Sequence, residues 1–162
     1  MIRSLDPQQD RAAVAALFRA AADYVALETG LPVDDSQADA FFTDAPPGID
    51  PATSLRLGLF DGATLLGKVD VAFGYPGPQD AYIGLMIFAP AARGAGHGAR
   101  LLRAVETAAR ARGATRLLIA ALEANPKGRA FWQREGFLPE QVFPDRPYGT
   151  RHHTVHRMAK PL

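Results

Sequence analysis

The sequence predicts an α/β fold built on a central mixed, mostly antiparallel sheet of six or seven strands with helices on both faces. Three observations carry this. Residues 54–60 and 65–73 are strand-like and flank Asp61-Gly62, a strong two-residue hairpin signal. Residues 82–88 and 115–122 are apolar strand-like runs separated by a helical pattern, which makes them parallel neighbours. Near the start, Val14, Leu17, Phe18, Ala21 and Val25 recur with helical spacing.

Taken in order, residues 2–5 predict a short first strand. Asp6-Pro7-Gln8-Gln9 reads as an N-cap, Pro at the first helical position and Gln at the third. One helix should follow and fade near Gly30 and Pro32. Asp35 or Ser36 caps a short second helix through Phe41 and Phe42, ended by Ala45-Pro46-Pro47-Gly48. After the hairpin, residues 74–78 (Gly-Tyr-Pro-Gly-Pro) turn the chain into the strand at 82–88. A long helix carries Leu101, Val105 and Ala108 on one face and stops at Gly113. The strand at 115–122 is followed by a short helix over 127–135, closed by Gly136. Residues 138–143 predict a strand, 144–149 a loop, and 153–158 a final strand. No repeat, low-complexity tract or linker interrupts this order, so residues 1–162 read as a single domain.

Composition narrows the class. With 48% hydrophobic and 22% charged residues, the chain is an ordinary globular one. It has no cysteine, which excludes disulfides, thiolate metal sites and a cysteine nucleophile. No apolar run is long enough to span a membrane, and the N-terminus lacks an apolar signal core, so a cytoplasmic location without membrane partners is expected. A net charge of +1 conceals a segregation. Residues 20–55 hold seven acids and no Lys or Arg, whereas residues 93–134 hold nine basic residues against Glu106 and Glu123. The basic half suits a polyanion and the acidic half a cation.

One stretch is chemically distinctive. Arg93-Gly94-Ala95-Gly96-His97-Gly98 places three glycines at alternate positions between a strand and a helix. Backbone N–H groups in such a loop can be approached closely, and the first N–H groups of the helix lack internal partners. Dipole and Arg93 add positive charge, so the loop reads as a pyrophosphate cradle.

Two motifs together resemble the GCN5-related N-acetyltransferase (GNAT) family. Arg93-x-x-Gly96-x-Gly98 is similar to that family's acyl-CoA pyrophosphate loop. Asn125 followed by Ala130-Phe131-Trp132-Gln133-Arg134-Glu135-Gly136-Phe137 is similar to its fifth strand, fourth helix and closing Gly-Phe. The resemblance covers nearly the whole chain and implies a pair of parallel strands splayed after a bulge, for which Gly84 is a reasonable place. It implies acetyl-CoA as cosubstrate, held by Met86, Ile87 and Phe88, by Arg93, Gly94, Ala95, Gly96, His97 and Gly98, and by Asn125, Trp132 and Arg134. The implied reaction is direct transfer of an acetyl group to a substrate amine through a tetrahedral intermediate. No metal is implied, and a homodimer is common in the family.

The catalytic groups are less legible. The amine must lose a proton, and Glu123 is the acid nearest the expected cleft, so it is the candidate base. The family's usual helix-four Tyr acid is Trp132 here, and indole is no useful proton donor. Tyr24, Glu28 and Tyr148 are candidate contacts to a small-molecule amine, which the acidic 23–50 segment would favour as a cation. Two other readings are open: a non-catalytic acetyl-CoA sensor, suggested by Trp132, and a dinucleotide-binding domain, suggested by Gly94-x-Gly96-x-x-Ala99. His152, His153 and His156 do not predict a metal site, because the two on one strand face lie about 13 Å apart. The arginines lack the interleaved aromatics of a nucleic-acid platform, so no nucleic-acid partner is expected.

Overall fold

The computed structural model describes all 162 residues. Seven strands form one sheet: β1 (Ile2–Ser4), β2 (Leu55–Asp61), β3 (Thr64–Phe73), β4 (Asp80–Phe88), β5 (Arg116–Leu122), β6 (Leu138–Tyr148) and β7 (Arg151–Pro161). Five helices accompany them: α1 (Arg11–Ala20), α2 (Ala22–Thr29), α3 (Ser36–Thr43), α4 (His97–Ala111) and α5 (Pro126–Arg134). The strand order is β1-β2-β3-β4-β5-β7-β6, and every pairing is antiparallel except β4 with β5. That arrangement is the predicted mixed sheet. It overturns the dinucleotide-binding reading, which needs a mostly parallel, doubly wound sheet.

Strand alternation divides the core between two layers. Val69 and Val71 of β3 and Leu117 and Ile119 of β5 pack against Leu101, Leu102 and Val105 of α4. On the other face, Phe60, Leu65 and Ile87 pack against Val14, Leu17 and Phe18 of α1, with Val25 and Phe41 from α2 and α3. No helix is long and apolar enough to cross a membrane.

Two sequence expectations need correction. The predicted first helix is two helices. Asp6 caps an isolated turn through the Gln8 and Gln9 N–H groups, α1 begins only at Arg11, and the chain breaks at Ala21 (φ −96°, ψ 29°). The buried stripe continues across that break, which is why periodicity alone hides it. The predicted loop at 144–149 is mostly strand, since β6 runs to Tyr148 past a register shift between Phe143 and Arg146. Prolines 139, 144 and 147 are tolerated because β6 is the sheet edge, where a missing N–H costs no ladder bond on the open side. On the α4 side, the buried Glu106 pairs with Arg103 of the same helix and with Lys160 of β7.

The parallel pair is brief. β4 and β5 are in register only from Asp80, Ala81 and Tyr82 to Arg116, Leu117 and Leu118. Beyond that, β4 stays with β3 and β5 stays with β7, so the two strands diverge into a V. The closed end is pinned by Asp80, whose carboxylate accepts Arg116 Nε at 2.7 Å, Arg116 Nη2 at 3.1 Å and the Gly77 N–H at 2.9 Å. Arg116 holds the Asp80 carboxyl below its ordinary range. Asp80→Ala is therefore expected to cost about 2 kcal/mol in chemical denaturation at neutral pH. Because the folded carboxyl titrates below the unfolded one, its contribution is present at neutral pH and fades as pH falls through the folded value. The difference between wild type and variant should shrink in acid; a constant difference would contradict the pinning role.

Candidate active site

The V opens into a cleft of about 850 Å³ that runs from the N-terminus of α4 to the C-terminal half of α2. At its first end, Gly94 and Gly96 both adopt φ +78°, a conformation that side chains disfavour. Gly96 is the residue that starts α4, and no side chain caps the helix. The first intrahelical bond of the turn is Arg100 N–H to Gly96 O at 3.1 Å, so the N–H groups of His97, Gly98 and Ala99 have no helical partner. Gly98 lets the turn lie against Phe131, whose ring an added Cβ would meet at 3.1 Å. In chemical terms this end presents free N–H groups at the start of a fifteen-residue helix, the kind of group that could hold an anion.

Arg93 lines the cleft, with its charge already engaged. Its guanidinium makes a two-point contact with Asp23 of α2 at 2.6 and 3.0 Å, and its Nε donates to Phe88 O at 3.0 Å. The charge is thus offset by an acid from the opposite half of the sequence. Asp39 and Asp35 of the acidic segment pair instead with Arg11 and Arg19 of α1. Among the ion pairs, Arg93–Asp23 is the one that joins the acidic 20–55 segment to the basic 93–134 segment.

The walls of the cleft are backbone and ring. Met86, Ile87 and Phe88 line one side, and Leu122 and Asn125 the other. N–H directions alternate along a strand. The N–H of Leu85 points to β3 and meets Asp70, and that of Ala89 meets Leu66 O. Those of Met86 and Phe88 therefore face away from β3, into the V. Asn125 caps α5 by accepting the Gly128 N–H at 3.1 Å. Trp132 also lines the cleft, stacked edge-to-face on Phe131 and Phe137 at 4.9 and 5.1 Å between centroids. Arg134 lines it too, whereas Ala95 is exposed and is not among the lining residues.

At the second end, Tyr24, Glu28, Tyr82 and Tyr148 converge. The Tyr24 hydroxyl donates to Glu28 Oε2 at 3.1 Å. Burial raises the Glu28 carboxyl, while the Tyr24 hydrogen bond, Lys68 and His153 oppose the shift. Burial also raises Tyr24 and Tyr148 and pushes Tyr82 up to about 12, so all three phenols stay protonated near neutrality. The β6–β7 turn closes this end from outside. Thr150 donates its N–H and its hydroxyl to Thr29 O, both at 2.9 Å, and His153 Nε2 lies 2.7 Å from Glu28 O. The last carbonyls of α2 are thereby satisfied by the hairpin rather than by water.

The sequence candidate for the base lies apart from these groups. Glu123 continues the parity of Ile119 and Ala121, which face α4, and its exposed carboxylate meets His156 Nε2 at 3.2 Å. It is not among the residues lining the cleft. His152 and His153 meet Asp145 and Glu28 O, so the three histidines point to three separate partners. Sequence reasoning missed Lys68 and Asp70 altogether. They sit two apart on β3, a spacing that reads as the wet face of a half-exposed strand, yet α1 and α3 cover that face and Lys68 is only 1% exposed.

Comparison with known proteins agrees with this geometry. No curated protein sequence matches the chain. Among solved structures, an acetyltransferase from Thermus thermophilus is 23% identical with a TM-score of 0.74, covering 100% of this chain and 96% of that one. A ribosomal-protein-alanine N-acetyltransferase from Brucella melitensis is 19% identical with a TM-score of 0.78, covering 100% and 99%. A GCN5-related N-acetyltransferase from Kribbella flavida is 25% identical with a TM-score of 0.74, covering 100% and 97%. The model of the acetyltransferase (GNAT) family matches residues 14–137. With its splayed β4–β5 pair and the open helix start beside it, the chain belongs to the GNAT family of acetyltransferases.

Proposed function

We propose that this protein transfers the acetyl group of acetyl-CoA to the primary amine of a small molecule, with Glu28 as the base. The observation that carries the reading is a single cleft that has unpartnered N–H groups of α4 at one end and a half-buried carboxylate at the other. The residues fit the cosubstrate. The N–H groups of residues 97–99 and the glycines before them suit a pyrophosphate, and Met86 and Phe88 offer an unpaired strand edge to a pantetheine amide. Acetyl-CoA supplies a thioester whose thiol is a good leaving group.

The protein's own part is proton handling and polarisation. An alkyl amine is protonated near neutrality, and Glu28 takes that proton, made a stronger base by its burial. Tyr24 fixes the carboxylate through its hydroxyl. The Met86 N–H, facing the V, donates to the carbonyl oxygen as negative charge develops on it. Trp132 donates no useful proton, so the departing thiolate is left to water. Glu28 replaces Glu123 in this reading because strand parity carries Glu123 to the α4 face.

The acceptor end favours a small cation. Glu28 lies among three tyrosines, and an adjoining pocket of about 220 Å³, lined by Asp44, Asp70 and Tyr82, extends it. The β6–β7 turn docked on α2 narrows the approach, which suits a small molecule better than a folded protein surface.

A screen of amines with acetyl-CoA, read by release of free thiol, should find small diamines or amino alcohols among the best substrates. Binding of acetyl-CoA with no amine-dependent release would instead favour a sensor. Glu28→Gln should lower kcat/KM by about 10²–10⁴-fold with little change in acetyl-CoA affinity. In the wild type, kcat/KM should rise with pH through the raised Glu28 value; that limb should vanish in the variant, and its survival would remove Glu28 as the base. Gly96→Val puts a branched side chain at φ +78° over the cradle and should weaken acetyl-CoA binding at least tenfold by calorimetry. Unchanged affinity would reject the cradle.

A further inference from the structure

β4 is irregular at one point. Val69 pairs with Met86 and Val71 with Ile83, so Gly84 and Leu85 together face the single residue Asp70. This is a bulge, and it removes one backbone acceptor from the ladder. Asp70 supplies the replacement. Its Oδ1 accepts the Leu85 N–H at 3.2 Å, and its Oδ2 fills the space beside Gly84, where a Cβ would fall 2.1 Å away. The same Oδ1 lies 3.4 Å from Lys68 Nζ. Lys68 is enclosed on its other sides by the rings of Phe41 and Phe18, at 4.0 and 5.1 Å from their centroids. Burial lowers the Lys68 ammonium, with Asp70 and Glu28 opposing the shift, and Asp70 is the side chain its Nζ reaches.

We infer that Asp70 is a positioning residue: it holds the bulge and so turns the Met86 N–H into the cleft, with Lys68 as its buried counter-ion. The direction follows from strand alternation. Once the Leu85 N–H is tied to Asp70 on the β3 side, the next N–H must face the V. Arg93 bonding to Phe88 O from the cleft side fits the same phase two residues on. Without an acceptor at position 70, the Leu85 N–H has no partner on β3, and β4 gains by relaxing toward a regular ladder. Gly84 belongs to the device, since any side chain there would evict the carboxylate. The catalytic consequence rests on the acetyltransferase reading proposed above, while the bulge itself does not.

The test separates the hydrogen bond from the ion pair by removing Lys68 first. In a Lys68→Met background, Asp70→Asn keeps an acceptor oxygen and Asp70→Ala removes it. Amide exchange by NMR reports on Leu85 whether or not the chain is an enzyme. The Ala variant should exchange its Leu85 amide at least tenfold faster than the Asn variant. With the best amine found, kcat should fall at least tenfold in the Ala variant, with the KM for the amine little changed, and the Asn variant should recover most of it. Gly84→Ala, which keeps both charges, should reproduce the Ala result and serves if the double variant does not fold. Equal Leu85 exchange in the Asn and Ala variants, or an undisturbed Leu85 in Gly84→Ala, would overturn the inference. A wild type that transfers no acetyl group would defeat the functional reading alone and leave the exchange result to decide the bulge.

Discussion

The parting of β4 from β5 is the constraint on which the rest of the structure depends. Two parallel strands that begin in register at Asp80 and Arg116 would ordinarily continue to pair. Here each is committed elsewhere: β4 to β3 as far as Phe88, and β5 to β7 as far as Leu122. Backbone polar groups inside a protein need partners, so the exposed edge of Met86 to Phe88 is a standing demand for a ligand with amide-like groups. The Asp80–Arg116 bridge closes one end of that gap, and the start of α4 lies at the other.

The two ends of the cleft differ in their physics. At the α4 end the attraction is made from backbone, with glycines at positive φ and helix N–H groups that no side chain caps. Arg93, the one full charge in the loop, is bound to Asp23 and so ties the anion end to the helix that carries Tyr24 and Glu28. At the α2 end the site is made from half-buried titratable side chains. Their values are shifted because water is excluded, by α1 and α3 on one side and by the β6–β7 turn on the other.

What could be read from the sequence follows from how local each signal is. The hairpin near Asp61-Gly62, the helix between the parallel strands and the glycine loop are each written in a few adjacent residues; the last two stand where expected, and the turn itself is Gly62-Ala63, one residue on. Gly84 was a reasonable place for a distortion and stands at the bulge, whereas Gly67, also inside a strand, makes room for the Phe88 ring. Which acid lines the cleft was not legible. Glu123 and Glu28 are both acids near chain turns, and only the folded arrangement places Glu28 in the lining and turns Glu123 toward His156. Lys68 and Asp70 were invisible for a related reason. Alternating charges on a strand signal solvent unless the covering layer is known, and that layer comes from residues 11–43. The strand character of residues 144–148 was hidden by prolines that only an edge position permits.

Acetyl-CoA is expected to occupy the gap between β4 and β5. Amide exchange of the intact protein, followed by NMR with and without saturating acetyl-CoA, addresses this residue by residue. Strong new protection is expected at Met86 and Phe88 and at His97, Gly98 and Ala99, with Leu85 already protected before addition. Binding that protects other amides and leaves Met86 and Phe88 exchanging as before would contradict it.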